Sequence, residues 1–111
     1  MKKVNILGTL YTIYFDTPDE KLPEGCDGCM DQSIHQIRIA KLESSRNSLR
    51  NLKEYKKKVL RHEIIHAFLN ESGLKDNFEH VPRMGHEETM VDWIANQFPK
   101  IADVYEKLGI L

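Results

Sequence analysis

Residues 52–72 read LKEYKKKVLRHEIIHAFLNES, and this run predicts one long helix. Asn51, with a glutamate three residues later, is typical of a capping box at the helix start, and Gly73 supplies a stop at its end. His62 and His66 lie four residues apart, so about 400° of helical rotation places their imidazoles on one face, about 6 Å apart along the axis. The sequence therefore predicts two histidine side chains that can reach a common point beside one helix.

The pattern His62-Glu63-Ile64-Ile65-His66 carries a specific chemistry. Two neutral imidazoles at this spacing can bind one tetrahedral zinc ion. Glu63 lies one step round the helix, where it can take a proton from a zinc-bound water and pass it to a leaving group. We therefore predict His62 and His66 as metal ligands and Glu63 as the general base. The alternative interpretation is a pair of ordinary histidines on the surface or in the core.

A catalytic zinc ion needs a third protein ligand, and its fourth position is left for water. Glu88 and Asp92 lie at i and i+4 of a second predicted helix, which begins near Glu87. We predict Glu88 as the third ligand and Asp92 as the residue that accepts the outer N–H of a ligand histidine. His80, His86 and Glu87 are alternative ligands. The glutamates could instead only favour a helix N-terminus.

This arrangement of motifs resembles a known class of enzymes. His62-Glu63-x-x-His66 followed by Glu88-x-x-x-Asp92 resembles the gluzincin arrangement of thermolysin-like peptidases, and residues 88–95 are similar to the second-helix pattern of ImmA/IrrE-type metallopeptidases. Residues 61–98, about a third of the chain, resemble short metallopeptidase-like proteins of phages and prophages of Gram-positive bacteria. The resemblance implies a zincin-like fold, a zinc cofactor and a protein or peptide substrate. Because this sequence is much shorter than ImmA/IrrE proteins, we do not expect it to contain a DNA-binding module like theirs.

The first half of the chain reads as strands. Residues 4–7 and 10–15 are β-branched and aromatic runs around Gly8-Thr9, which suits a two-residue type II′ hairpin. Residues 34–40 alternate apolar and polar side chains, and the polar face suggests either an edge position or a face open to a cleft. At a sheet edge, this strand could hold an extended substrate. We predict a single α+β domain over residues 1–111, with a small, mostly antiparallel sheet of about three strands packed on the metal helix.

The second helix is expected to run from near Glu87 to Phe98. Pro99 should either kink it or open a short final helix that ends at Gly109. We expect several apolar side chains to form a core that needs no metal, namely Ile64, Phe68, Val91 and Ile94. The aromatic residues Trp93, Phe98 and Tyr105 are also expected in the core rather than in substrate recognition.

The composition limits the possible partners. Apolar residues make up 41% of the chain and charged residues 30%, with a net charge of -1. This balance predicts neither nucleic acid nor a membrane as the main partner, and Lys56-Lys57-Lys58 is interpreted as a solvated helix face. The apolar run near the N-terminus is broken by polar residues and has no signal-peptide cleavage site, so a cytoplasmic protein is expected.

Cys26 and Cys29 form one Cys-x-x-Cys pair. A structural zinc site usually needs a second pair, and the glycines at 25 and 28 favour a turn rather than the strand-to-helix setting of a redox site. We expect free thiols in a loop, with redox or metal-binding roles as alternatives. The small size of the chain also leaves a second function open, that of a zinc-stabilised binding or adaptor protein that keeps the metal site without turnover.

Overall fold

Four strands and two helices make up the described part of the chain. The structure is a computed structural model that describes residues 1–43, 50–74 and 88–111, without the side chains at positions 88, 89, 91, 92 and 95. The α+β class is as predicted: one four-stranded, mostly antiparallel sheet packs against helices. Within the described residues, no helix is long and apolar enough to cross a lipid bilayer. The elements in chain order are β1 (Lys2–Ile6), β2 (Thr9–Thr17), a short 3-10 helix (Asp19–Lys21), β3 (Gly28–Asp31), β4 (Gln36–Ala40), α1 (Leu52–Glu71) and α2 (Glu88–Leu108).

The first two strands form an antiparallel hairpin in which Ile6 pairs with Thr9. The two-residue turn is therefore Leu7-Gly8, one residue earlier than predicted. Both residues have positive φ, 51° and 96°, which a type I′ turn requires and a type II′ turn does not. The predicted turn type is therefore wrong, and Asn5 Oδ1 supports the observed turn by accepting a 2.7 Å hydrogen bond from the Gly8 N–H.

The strand order β1-β2-β4-β3 differs from the predicted sheet. β4 lies between β2, with which it pairs in parallel, and β3, with which it pairs antiparallel. The prediction that residues 34–40 form a sheet edge is therefore wrong, and β3 is the edge strand beside α1. Sequence patterning missed β3 because it has four residues and begins with a glycine, which has low strand propensity. The polar side chains of β4 lie on the open face of the sheet, where the Arg38 guanidinium stacks 4.7 Å from the Tyr14 ring centroid.

The long helix α1 begins and ends where the sequence predicts. Asn51 is its N-cap, and the Asn51 side chain accepts a 3.1 Å hydrogen bond from the backbone N–H of Glu54. At the other end the Ser72 N–H donates to the Phe68 carbonyl at 2.9 Å. Gly73 follows with φ 79°, so glycine is the residue that can turn the chain away from the helix.

The second helix, α2, continues through Pro99 and ends before Gly109, which has φ 68°. It is one helix rather than two. Pro99 is exposed, so its ring can lie on the solvent side of the helix. Glu87, the predicted start, lies outside the described residues.

The core lies between one face of the sheet and the two helices. Its buried side chains are Val4, Ile6, Tyr11, Ile13, Ile37 and Ile39 from the sheet, Leu60, Ile64, Ala67 and Phe68 from α1, Ile101, Val104 and Leu108 from α2, and Ile110 after it.

Two apolar residues of α2 do not join this core. Ile94 is 50% exposed and Phe98 is 61% exposed, so the predictions that placed them inside are wrong. Ile101 and Val104, further along the same helix, are buried instead. Trp93 and Tyr105 pack against the core as expected, and the Trp93 indole N–H donates to Ser72 Oγ at 2.9 Å. The side chain of Val91 lies outside the described residues.

A part-buried polar contact joins the start of β2 to the end of α1. Tyr11 is fully buried, and its hydroxyl donates to Glu71 Oε1 at 2.7 Å. Thr9 Oγ1 donates to Glu71 Oε2 at 2.8 Å. Burial, together with the Glu71 carboxylate, raises the pKa of Tyr11 to about 12. Both carboxylate oxygens of Glu71 are thus satisfied, and the contact fixes the orientation of α1 on the sheet.

Candidate metal centre

The helix α1 presents His62 and His66 on its exposed side and turns Glu63 inward. The two Nε2 atoms lie 3.1 Å apart. The ring centroids are 4.8 Å apart, and the ring planes are inclined at 71°. The imidazoles therefore converge, as expected for residues one helical turn apart.

This geometry fits a zinc ion. Two nitrogen ligands of one tetrahedral zinc lie about 3.3 Å apart, because each Zn–N bond is about 2.0–2.1 Å long. The observed separation of 3.1 Å is close to that value. The ligand atoms of His62, Glu63 and His66 all lie within 4.8 Å of one another. Two imidazole nitrogens beside a carboxylate are donors that zinc and similar divalent metals accept.

Glu63 lies beneath the histidine pair and is only 7% exposed. Burial raises the pKa of its carboxyl above the ordinary value, whereas His66 and His62 act in the opposite direction. The backbone of Gly28 in β3 packs directly against it. A Cβ at Gly28 would lie 3.2 Å from Glu63 Cγ and 2.7 Å from Val59 Cγ1. The carboxylate is thus held between the metal helix and the edge strand.

A cleft of about 500 Å³ opens in front of the histidine pair. One wall is α1, and the other is the segment that leads into β3. The Tyr55 hydroxyl donates to Asp27 Oδ2, and the Asp27 carbonyl accepts a 2.8 Å hydrogen bond from the Ala40 N–H. These bonds hold the second wall against the helix and the sheet. The side chains and backbone that line the cleft are Gly25, Cys26, Asp27, Gly28, Tyr55, Lys58, Val59, His62, Glu63 and His66.

A larger groove of about 740 Å³ lies elsewhere, between the turn of the first hairpin and α2. It contains neither histidine of the pair and no other group of metal-ligating side chains within the described residues. The smaller cleft is the one lined by side chains that could bind a metal, His62, Glu63 and His66.

The predicted third ligand belongs to the start of α2. The backbone of this helix begins at Glu88 and includes Asp92, but both side chains lie outside the described residues. The alternative ligands Glu87, His80 and His86 also lie outside them. The roles of Glu88 and Asp92 therefore stay predictions.

Sequence patterns did not predict several residues that line the cleft. Tyr55 and Lys58 precede His62 by seven and four residues, so helical spacing alone could have placed them on the same face. Asp27 and Gly28 carried no such signal, because they reach the site only through the pairing of β3 with β4.

The two cysteines are free thiols, as expected, but they differ in setting. Cys26 is exposed in the segment that lines the cleft, whereas Cys29 lies in β3 rather than in a loop. Burial raises the pKa of the Cys29 thiol, and the charge of Glu63 adds to this effect. A less acidic thiol is a poorer nucleophile at neutral pH, so the shift does not favour a redox role for Cys29.

Comparison of the chain with protein-family models, with curated proteins and with solved structures finds no match. Function is therefore inferred from the residues of the chain, above all from the pair His62 and His66 above the buried Glu63.

Proposed function

We propose that this protein is a zinc-dependent peptidase. The observation that carries the proposal is the approach of His62 Nε2 to His66 Nε2, 3.1 Å, directly above a buried glutamate in an open cleft. This combination meets the needs of metal-assisted hydrolysis: nitrogen ligands, a carboxylate base and room for a substrate. The resemblance to gluzincins supports peptide bonds as the target.

Each residue of the site has a role in this proposal. His62 and His66 hold the ion with Glu88 as the third ligand, and Asp92 orients a ligand histidine by accepting its outer N–H. Zinc, when bound, supplies a Lewis acid and an activated water. Glu63 accepts the proton that the attacking water loses and delivers it to the nitrogen of the leaving amine.

The edge strand β3 is the proposed docking site for an extended peptide. An edge strand can pair with a substrate backbone through its free N–H and C=O groups. Support comes from the strand order, which leaves β3 at the edge, and from Gly28, which brings β3 into contact with Glu63. A peptide added to β3 would therefore run past the general base. The near-neutral charge of the chain favours neither nucleic acid nor an anionic membrane as partner.

A cytoplasmic location and a phage or prophage origin belong to the same proposal. The resemblance supports the origin. The free thiols of Cys26 and Cys29 are typical of a reducing compartment. Fractionation of cells that carry the gene would test the location.

Substitution of Glu63 by glutamine tests the catalytic role. Glutamine keeps the shape of the side chain but cannot accept the proton, so hydrolysis of an unfolded protein substrate should fall about 10²- to 10⁴-fold. Zinc content, measured by elemental analysis, should stay near one ion per chain. Glu54→Gln is the matched control, because Glu54 is an exposed glutamate of the same helix and should leave the rate unchanged.

Three outcomes would point elsewhere. If Glu63→Gln hydrolysed the substrate at the wild-type rate, Glu63 would not be the general base. Capture of an intact partner, equally by wild type and Glu63→Gln and without cleavage, would support the binding-protein alternative. Absence of bound zinc in wild type and in His66→Ala alike would indicate that the two imidazoles only share a hydrogen bond.

A further inference from the structure

The three consecutive lysines of α1 are not equivalent. Lys56 Nζ lies 3.2 Å from Asp16 Oδ1, and Lys57 Nζ lies 3.3 Å from Glu54 Oε1. Lys58 is exposed, lines the metal cleft and has no hydrogen bond or ion pair with any residue that the structure describes. The two lysines outside the cleft are thus neutralised, whereas the one inside it has no such partner in the part of the chain that the structure describes.

Lys58 also has a defined position relative to the metal ligands. It precedes His62 by four residues on a regular helix, so the two side chains share a face and are separated by about 6 Å along the axis. The cleft also contains the carboxyl groups of Asp27 and Glu63. Asp27 accepts a hydrogen bond from Tyr55, and Glu63 is buried beneath the histidines. Lys58 is therefore a cation one helical turn from the metal with no neutralising partner among the described residues.

We propose that Lys58 binds a carboxylate of the substrate and so gives the site a preference for acidic peptides. The inference rests on the proposed peptidase function, because it takes the metal as the fixed point next to which the carboxylate lies. The carboxylate belongs to an aspartate or glutamate side chain near the scissile bond or to the C-terminus of the peptide. An exposed ion pair of this kind is worth about a two- to fivefold gain in affinity at low salt, and the gain shrinks as salt is added.

A pair of small hydroxamates tests this preference without turnover. The hydroxamate group binds zinc, and succinic monohydroxamate carries a distal carboxylate where the succinamide analogue carries a neutral amide. Calorimetric titration of the zinc-loaded full chain should show about two- to fivefold tighter binding of the acid. The advantage should vanish in Lys58→Met and reverse in Lys58→Glu. Lys57→Met is the matched control and should keep the advantage, because Lys57 already pairs with Glu54.

Two longer probes separate the sources of the carboxylate. One is a hydroxamate-capped Ala-Ala with a free C-terminus, and the other is a hydroxamate-capped Asp-Ala with an amidated C-terminus. The probe whose binding weakens in Lys58→Met identifies the group that Lys58 recognises. If neither probe weakens, the proposal is overturned.

The outcomes also separate this inference from the proposed function. Equal binding of acid and amide to zinc-loaded wild type would overturn the role of Lys58 and leave the metal site standing. If the neutral hydroxamate did not bind at all, the proposal of an accessible metal site would be overturned. The proposed role of Lys58 would then fall with it. Because Lys58 is exposed, its variants should unfold at the wild-type temperature, which circular dichroism checks.

Discussion

At the scale of single residues, Gly28 shows how a missing side chain can shape a site. Its φ is not in the left-handed region, unlike that of Gly8, Gly25, Gly73 and Gly109. The requirement for glycine at this position is therefore space rather than backbone conformation. With no Cβ, the backbone of β3 lies against Val59 and Glu63 of α1, so the edge strand contacts the proposed general base.

We expect Gly28→Ala to lower both stability and activity. A Cβ 2.7 Å from Val59 Cγ1 must push the strand or the helix aside, and such overpacking costs about 1–3 kcal/mol in the free energy of unfolding. If Glu63 moves by about 1 Å, hydrolysis should fall on the order of 10²-fold. Urea unfolding and hydrolysis rates measure the two effects. Cys29→Ala, on the other face of β3, is the control, and equal stability of both variants would contradict the packing described here.

At the scale of elements, the contact of Glu71 with Tyr11 and Thr9 joins α1 to β2. Burial alone would raise the pKa of Glu71. The hydrogen bonds from Tyr11 and Thr9, together with nearby His35, outweigh burial and hold the pKa below its usual value of 4.5. A carboxyl whose pKa is lower in the folded state stabilises the fold above the unfolded-state pKa, and this stabilisation is lost as pH falls through the folded-state pKa.

The expected signature is an acid-dependent loss of stability that Glu71→Gln reduces. At pH 7 the variant should be less stable than wild type by about 1–3 kcal/mol, because two hydrogen bonds to a charged acceptor are weakened. Below pH 4.5 the wild type should lose stability faster, so the difference between the two proteins should narrow. Urea unfolding from pH 7 to pH 3 measures it, with the exposed Glu54→Gln as control. If the free energy of unfolding changed with pH in the same way in wild type and in Glu71→Gln, a contribution of the Glu71 carboxylate to acid sensitivity would be ruled out.

At the scale of the whole molecule, the proposed zinc would connect α1 with the start of α2. The ligand pair lies on α1, and Glu88 opens α2 after residues 75–87. A ligand that binds only the folded state raises stability with the logarithm of its excess over the dissociation constant, by about 4 kcal/mol at a thousandfold excess. Ile64, Phe68, Ile101 and Val104 belong to one hydrophobic core that contains neither His62 nor His66. Bound zinc should therefore stabilise the fold, but the fold should persist without zinc.

Removal of zinc should lower the unfolding temperature by several degrees or more and leave the protein folded at room temperature. His66→Ala should resemble the chelated wild type and should no longer respond to added zinc. Thermal melts followed by circular dichroism, with and without chelator, measure both. An unchanged melt of metal-loaded wild type after chelation, or a full zinc response in His66→Ala, would place the metal elsewhere.

The parts of the molecule that the sequence predicts are those set by local spacing. The caps at Asn51 and Gly73 and the convergence of His62 with His66 follow from helix geometry over a few residues. The order of strands does not, because β2 and β4 pair across eighteen residues between their ends and the short β3 has no periodic pattern. Burial of Ile94 and Phe98 was predicted wrongly because both share the apolar face of α2 with the buried Ile101, and helical spacing does not show how far along a helix the core extends.

The parallel pairing of β2 with β4 has a consequence for the order of folding. The centre of the sheet forms only after residues 18–35 have closed into a crossover, and such non-local contacts are slow. The histidine pair, by contrast, lies within one helix, whose turns form in about a microsecond or less. We expect α1, whose contacts are local, to be formed in the transition state, so zinc bound by the two histidines should accelerate refolding in stopped-flow experiments. If binding needs Glu88 in place first, zinc would instead slow unfolding and leave the refolding rate unchanged.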